Sequence, residues 1–478
     1  MVEGPVEDWS YTGLTREDLF KVVNQDSCYK SRALFDGCVL GILQAEHGSH
    51  KLYISQDFES LIETPQGDLH ELASVEHFFQ TNPTAFQDKL INFPFLWERI
   101  LEVEAVEPFY ISKAINAYYS SLYDPHTYIT PKLYYATQLT QPTKDVTAFG
   151  FRFARLNNRL FVQTVAPNSP ADAAGMRVGD ELLSVQEVPN LKLPMSTLRV
   201  MVHASEELNL VLDSNGERKE MQLYKFKYTL KSVSSKLLSI IKPVGVIRVS
   251  RFLKGVCKQF ESELNRLREH NIQGLIIDLR GNPGGLVDEA ACMASNFVQP
   301  NQLLFYLQDR SSPKDKETFL STAKRQFNGS LAILIDGGSA SASELLAGSL
   351  RELGRAVLVG SQSFGKGSFQ EIEPWPHQTN VIIFSTKGFF HLPSGFSPQV
   401  RGITPDIEIK GRKFYLSESQ SYLHPAKLDI DARWRLPKIS NRDCILPEEQ
   451  IASTDPVFAR TQEALFCSRV TADLRNSQ

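Results

Sequence analysis

Three serines alternate with small residues in Asp336-Gly337-Gly338-Ser339-Ala340-Ser341-Ala342-Ser343-Glu344, directly ahead of a segment patterned as a helix. Small side chains let a substrate backbone come close. The first amides of a helix lack intrahelical acceptors, which suits them to a developing oxyanion. A serine placed there becomes a nucleophile when a base reaches it. The same residues also make an ordinary helix N-cap, and composition does not separate Ser339, Ser341 and Ser343. Two further turns carry glycine: Arg280-Gly281-Asn282-Pro283-Gly284-Gly285 and Gly360-Ser361-Gln362-Ser363-Phe364-Gly365-Lys366-Gly367-Ser368. The latter matches the first seven positions of a phosphate-binding loop, but Gly367 stands where a magnesium-holding Ser or Thr is needed. Residues Ser368 to Pro374 then alternate like a strand, whereas such a loop must open a helix to aim its dipole at phosphates. The pattern argues against a nucleotide site.

Each turn follows an apolar run, as loops do at the carboxyl edge of an open α/β sheet, where ligands bind. Leu275-Ile276-Ile277-Asp278-Leu279 reads as a strand covered on both faces. Gly245–Val249, Leu303–Leu307, Leu331–Ile335 and Ala356–Val359 read as further strands. Val256, Phe260, Leu264 and Leu267 form one helical stripe. Leu286–Phe297 and Ser343–Leu353 read as helices, the second ended by Gly354. Strand–helix alternation predicts a largely parallel sheet. Residues from about 145 to 227 read instead as short strands and turns. Ahead of them the chain reads as mostly helical. Tyr110–Tyr123 has helical spacing and stops at Asp124-Pro125.

The 478 residues predict about three domains. With 51 basic and 55 acidic residues the net charge is -4, which argues against a nucleic-acid partner. No apolar run approaches the ~18 residues of a membrane span. The start of the chain lacks the basic and apolar regions of a signal peptide, so the protein is either cytoplasmic or has lost a leader. The six cysteines form no C-x-x-C pair, which argues against a zinc or redox motif; no metal and no cofactor is expected.

Several motifs together resemble the C-terminal processing peptidases, or tail-specific proteases. They are Leu275 to Gly285, Ser339-Ala340-Ser341-Ala342-Ser343-Glu344, Phe364-Gly365-Lys366-Gly367, and Pro393-Ser394-Gly395 with Gly402-Ile403-Thr404-Pro405-Asp406-Ile407. Asp124 to Pro131 resembles the family segment ahead of a PDZ domain. Ser169-Pro170-Ala171, Ala174-Gly175-Met176 and Gly179-Asp180-Glu181-Leu182-Leu183 resemble the PDZ domain itself.

The resemblance implies an α+β multidomain chain. It would have a mostly helical region at 1–140, an inserted PDZ domain at 145–228, a βαβ-type, ClpP/crotonase-like peptidase core at 229–412 and a tail at 413–478. Carried over by position, Ser341 matches the nucleophile, Lys366 its general base and Gln370 the residue that positions the lysine. The amides of Gly285 and Ala342 match the oxyanion hole. Phe149, Gly150 and Phe151 match the PDZ loop that binds a substrate's C-terminal carboxylate. A lysine acts as base only when neutral, which burial without a counter-charge favours. Gln370 lies four residues after Lys366, so their contact needs the lysine's length or a bend at Gly365 and Gly367. The implied activity is a serine endopeptidase acting on proteins with free C-termini, in a periplasmic or otherwise extracytoplasmic place, with an activating adaptor or a homo-oligomer as further partner. The competing reading is a catalytically idle PDZ adaptor. Export would favour Cys28–Cys38 and Cys444–Cys467 as disulfides and leave Cys257 and Cys292 as core thiols.

Overall fold

The structure, a computed structural model, describes residues 9–22, 53–55, 61–62, 69–71, 126–136, 142–156, 159–189, 195–214, 216–238, 243–312, 314–322, 326–409, 438–441 and 468–471, with single positions in 108–119 and at 461 and 465. Helix α1 (Arg16–Val22) comes first. Strands β1 (Tyr53–Ser55), β2 (Leu61–Ile62) and β3 (Leu69–Glu71) form a small antiparallel sheet. The helical reading of 1–140 did not include this sheet, although Tyr53 and Ile54 are types that favour pleated pairing. The described positions of the expected Tyr110–Tyr123 helix are helical, with Ile111 and Ile115 buried.

Strand β4 (Tyr128–Pro131) leads to a small unit. The chain enters it through β5 (Thr143–Ala148) and leaves through β12 (Phe226–Lys231), which pair antiparallel. Between them β6 (Phe151–Leu156), β7 (Arg159–Val165), β8 (Glu181–Val185), β9 (Val188–Pro189), β10 (Glu207–Ser214) and β11 (Glu217–Tyr224) form a sheet of order β11-β10-β8-β7-β6, with β9 on β8. Leu208, Leu210 and Leu212 of β10 alternate into the core, as a half-buried strand requires. Two helices cover the sheet, α2 (Pro170–Ala173) and α3 (Met195–Ala204). Ser169 caps α2 by accepting from the Asp172 amide at 3.2 Å, and Pro170 takes the first helical position.

Strands β13 (Val233–Leu238), β14 (Val244–Val249), β15 (Gly274–Asp278), β18 (Ser330–Ile335), β19 (Val357–Gly360) and β22 (Ile407–Glu408) form the main sheet in that order. Only β13 runs antiparallel to its neighbour; the other pairings are parallel, as expected. Alternation along the strands feeds two cores. Ile247, Leu275, Ile277, Ile333 and Ile335 face helices α4 (Val256–Arg268), α5 (Val287–Ser295) and α6 (Ala342–Glu352). Val246, Ile276, Ala332, Leu334 and Val359 face the other way, where Leu465 of the tail joins them. The stripe Val256, Phe260, Leu264 and Leu267 is wholly buried, worth about 1.5–3 kcal/mol per side chain. A second, antiparallel sheet holds β16 (Leu303–Asp309), β17 (Lys316–Leu320), β20 (Ser368–Pro374) and β21 (Val381–His391), in the order β17-β16-β21-β20, with β4 also on β21.

Cys257 of α4 and Cys292 of α5 are joined in a disulfide, with Cα atoms 6.1 Å apart. This corrects the expectation of two core thiols. Helical spacing put each cysteine on its own helix but did not show that the two helices pack side by side. Cys28–Cys38 and Cys444–Cys467 lie outside the described residues.

Candidate active site

The three turns converge at the ends of β15, β18 and β19. At the end of β15, Asp278 is buried and clamped by Arg280 at 2.9 Å and Arg248 at 3.1 Å. Burial alone would raise its carboxyl, but Arg280 and Arg248 hold it well below the usual carboxylate range. The turn beyond is tied down at each step. Gly281 N donates to Asp336 Oδ1 at 2.8 Å, Asn282 Nδ2 to Val249 O at 2.9 Å, and Gly284 N to Asn282 Oδ1 at 2.9 Å. Gly285 has φ +144°, and a Cβ there would lie 2.1 Å from Phe252 O. A Cβ on Gly284 would lie 2.8 Å from Ser341 Cβ. Only glycine fits at either place, and the turn therefore lies against Ser341.

The structure separates the three serines that composition could not. Ser339 is fully buried; its hydroxyl donates to Leu279 O at 2.8 Å and accepts from Asp336 N at 3.0 Å. Ser343 is also fully buried and donates to Asn282 O at 2.9 Å. Both hydroxyls are spent on holding the two turns together. Ser341 is half-buried and occupies the N-cap of α6 at φ 56°, ψ -118°, a conformation that L residues other than glycine rarely adopt. Among the described residues, neither the Gly285 nor the Ala342 amide has a hydrogen-bond acceptor. Two open donors thus flank one strained serine.

Lys366 comes from the third turn. Its Nζ donates to Gln370 Oε1 at 2.7 Å and to Ser368 O at 3.0 Å. Gln370 is oriented through Nε2, which reaches Ser368 Oγ at 3.2 Å and Thr386 Oγ1 at 3.3 Å. The straight strand between the two residues is broken by a shift in the β20–β21 register between Phe369 and Gln370, beyond the Gly365 and Gly367 where a bend was expected. The chain after Lys366 is strand β20, not the helix a nucleotide loop needs.

One residue not assigned from the sequence joins nucleophile turn and lysine loop. Glu344 is 1% exposed. Its Oε2 accepts from Ser341 N at 2.8 Å and Lys366 N at 2.9 Å, and its Oε1 from Gly365 N at 2.8 Å and Ser363 Oγ at 2.5 Å. Two amides that share one acceptor atom must be neighbours, so the backbones of Ser341 and Lys366 are pinned side by side. Burial pushes the Glu344 carboxyl up to about 7, against these four donors, which favour its charged form. The Ser-x-x-Glu spacing of a capping box was the available signal. His391 takes no part: it stacks on Tyr306 with ring centroids 4.9 Å apart.

Phe149, Gly150 and Phe151 are not part of this cluster; they sit where β5 passes to β6. Both phenylalanine rings are buried in the small unit's own core, and Gly150 has φ +84°. The Phe149 and Gly150 carbonyls accept from Ala171 N at 3.0 Å and Ala166 N at 2.7 Å. Strand β6 ends its sheet, so one edge has no strand partner among the described residues.

Residues 243–409 match the family described as Peptidase family S41. The carboxy-terminal processing protease CtpB of Bacillus subtilis is 26% identical over 66% of this chain and 66% of its own length. The "Probable CtpA-like serine protease" of Staphylococcus aureus strain N315 is 24% identical over 76% of this chain and 69% of its own length. The chain spans about two thirds of the length of these curated relatives. The photosystem II D1 C-terminal processing protease matches in structure with a TM-score of 0.48 and 23% identity, over 66% of this chain and 86% of that one.

Proposed function

We propose that this chain, whose residues 243–409 form a family S41 peptidase domain, is a serine endopeptidase that takes proteins by their C-terminal tails. Ser341 Oγ attacks the peptide carbonyl, and Lys366 accepts its proton. The oxyanion is held by the Gly285 and Ala342 amides. Lys366 returns the proton to the leaving amine, and water then hydrolyses the acyl-enzyme by the same steps in reverse roles. A neutral lysine has two N–H groups. The Ser368 carbonyl and Gln370 Oε1 each accept an N–H of this amine, and its lone pair would take the serine proton. Both acceptors are neutral, so they orient the amine without adding charge that would keep it protonated.

The observation that carries this reading is the strained, half-buried Ser341 between two open amides, with its neighbours Ser339 and Ser343 committed elsewhere. The unit at 143–231 is read as the PDZ domain. Its edge strand β6 would take the substrate's tail as an added strand, with the amides around Phe149, Gly150 and Phe151 facing the terminal carboxylate. The Cys257–Cys292 disulfide supports an oxidising, extracytoplasmic place.

Incubation of wild type and Ser341→Ala with unstructured proteins of varied C-termini, read by mass spectrometry, tests the proposal. Cleavage is expected in wild type only, and it should fall when the substrate terminus is an amide. Equal cleavage by Ser341→Ala would move the nucleophile, and tail binding without cleavage in either protein would make the chain an adaptor.

A further inference from the structure

A cavity of about 110 Å³ lies where the 143–231 unit meets the main sheet, behind the turn that carries Gly285. Lys144, Arg152, Lys231, Arg248 and Arg251 line it, and among the described residues no acidic one does. Arg248 is already paired with Asp278. Arg251 is half-buried, and among the described residues no carboxylate pairs with it. Burial pulls the Arg251 guanidinium below its usual range, and only the hydroxyls of Tyr128 and Tyr134 pull it back. Burial also lowers Lys144, and the charge of Arg251 lowers it further. Two cations thus repel each other in a space walled by Phe151, Val165, Leu230 and Leu253, where a low dielectric strengthens the repulsion.

We propose that this cavity is an oxyanion-binding site, taking a phosphate or a carboxylate group between Arg251 and Lys144. An oxyanion cancels the repulsion and offers two oxygens to the guanidinium fork. Lys144 and Arg152 come from the small unit, and Arg248 and Arg251 from the end of the main sheet, so the ligand bridges the two. Gly281 and Pro283 form part of the same wall, so the occupant touches the turn that holds Gly285. Its wall includes Gly150, Phe151 and Arg152 at the start of β6, and the proposal does not depend on the role given to Ser341.

The test titrates inorganic phosphate into the full-length chain at constant ionic strength, by calorimetry and by hydrogen exchange. Saturable binding is expected, weakened at least tenfold in Arg251→Met and in Lys144→Met. Phosphate, but not chloride, should slow exchange in peptides covering 248–253 and 281–285 of the unmodified chain, a readout that needs no variant. A short peptide with a free C-terminus that competes with phosphate, while its amide does not, identifies a chain terminus as a second source of the oxyanion. No saturable binding and no protection, or binding unchanged in both variants, overturns the proposal.

Discussion

Replacing Glu344 by glutamine changes both the stability of the fold and the way it depends on pH. The wild-type carboxyl keeps its proton to about pH 7 in the folded chain and releases it near 4.5 when unfolded. Between those values the folded state binds more protons, so stability falls as pH rises, and above pH 7 the loss is complete. At about 1.4 kcal/mol per pH step, this one group costs roughly 3 kcal/mol. Glutamine has no such cost. Its NH2 group, however, must face either the Ser341 and Lys366 amides or the Gly365 amide and the Ser363 hydroxyl, which can turn to accept. One or two lost hydrogen bonds, at about 1–3 kcal/mol each, make the variant less stable at pH 4.5. The gap to wild type then narrows by roughly 3 kcal/mol on going to pH 7. Urea unfolding at pH steps from 4.5 to 8 measures it, with Glu352→Gln as comparison, since burial pushes that carboxyl up to about 7 as well. A gap that stays constant across this range would refute the reasoning.

Gly285→Ala puts a Cβ 2.1 Å from Phe252 O, so the turn must shift and carry its amide away; peptidase rate should fall at least a hundredfold, and a wild-type rate would remove Gly285 from the oxyanion hole. Gln370→Met keeps the length but deletes the 2.7 Å acceptor of Lys366. One hydrogen bond of ~1–1.5 kcal/mol predicts about a tenfold drop in kcat with little change in KM, and an unchanged kcat would reduce Gln370 to packing. Reducing Cys257–Cys292 opens a closure of 35 residues, worth about 4 kcal/mol by chain entropy. Thermal unfolding with and without reductant should show the loss, and identical midpoints would deny it.

What was legible in the sequence was whatever repeats locally. The buried run at 275–279 and the stripe Val256, Phe260, Leu264 and Leu267 are periodic signals, and both appear where expected. Gly354 takes φ +67° after α6, as the helix end required. Relations between distant segments were not legible. The pairing of Cys257 with Cys292 depends on how two helices pack, and the four donors of Glu344 come from two turns separated by strand β19. Ser341 could be chosen over Ser339 and Ser343 only by resemblance. Burial of the other two hydroxyls is a tertiary property that a serine-rich turn does not reveal.

The backbone at Ser341 carries a further consequence. Its φ of 56° with ψ -118° costs a side-chain-bearing residue about 1–3 kcal/mol, which a glycine would not incur. On the proposed reading, the position that does the chemistry is therefore also one where a substitution can make the chain sturdier while disarming it. A library screened for heat resistance alone would drift towards glycine at 341. Drift from cleaving enzyme to silent tail-binder then runs downhill in folding free energy, and only continued demand for hydrolysis keeps the serine in place.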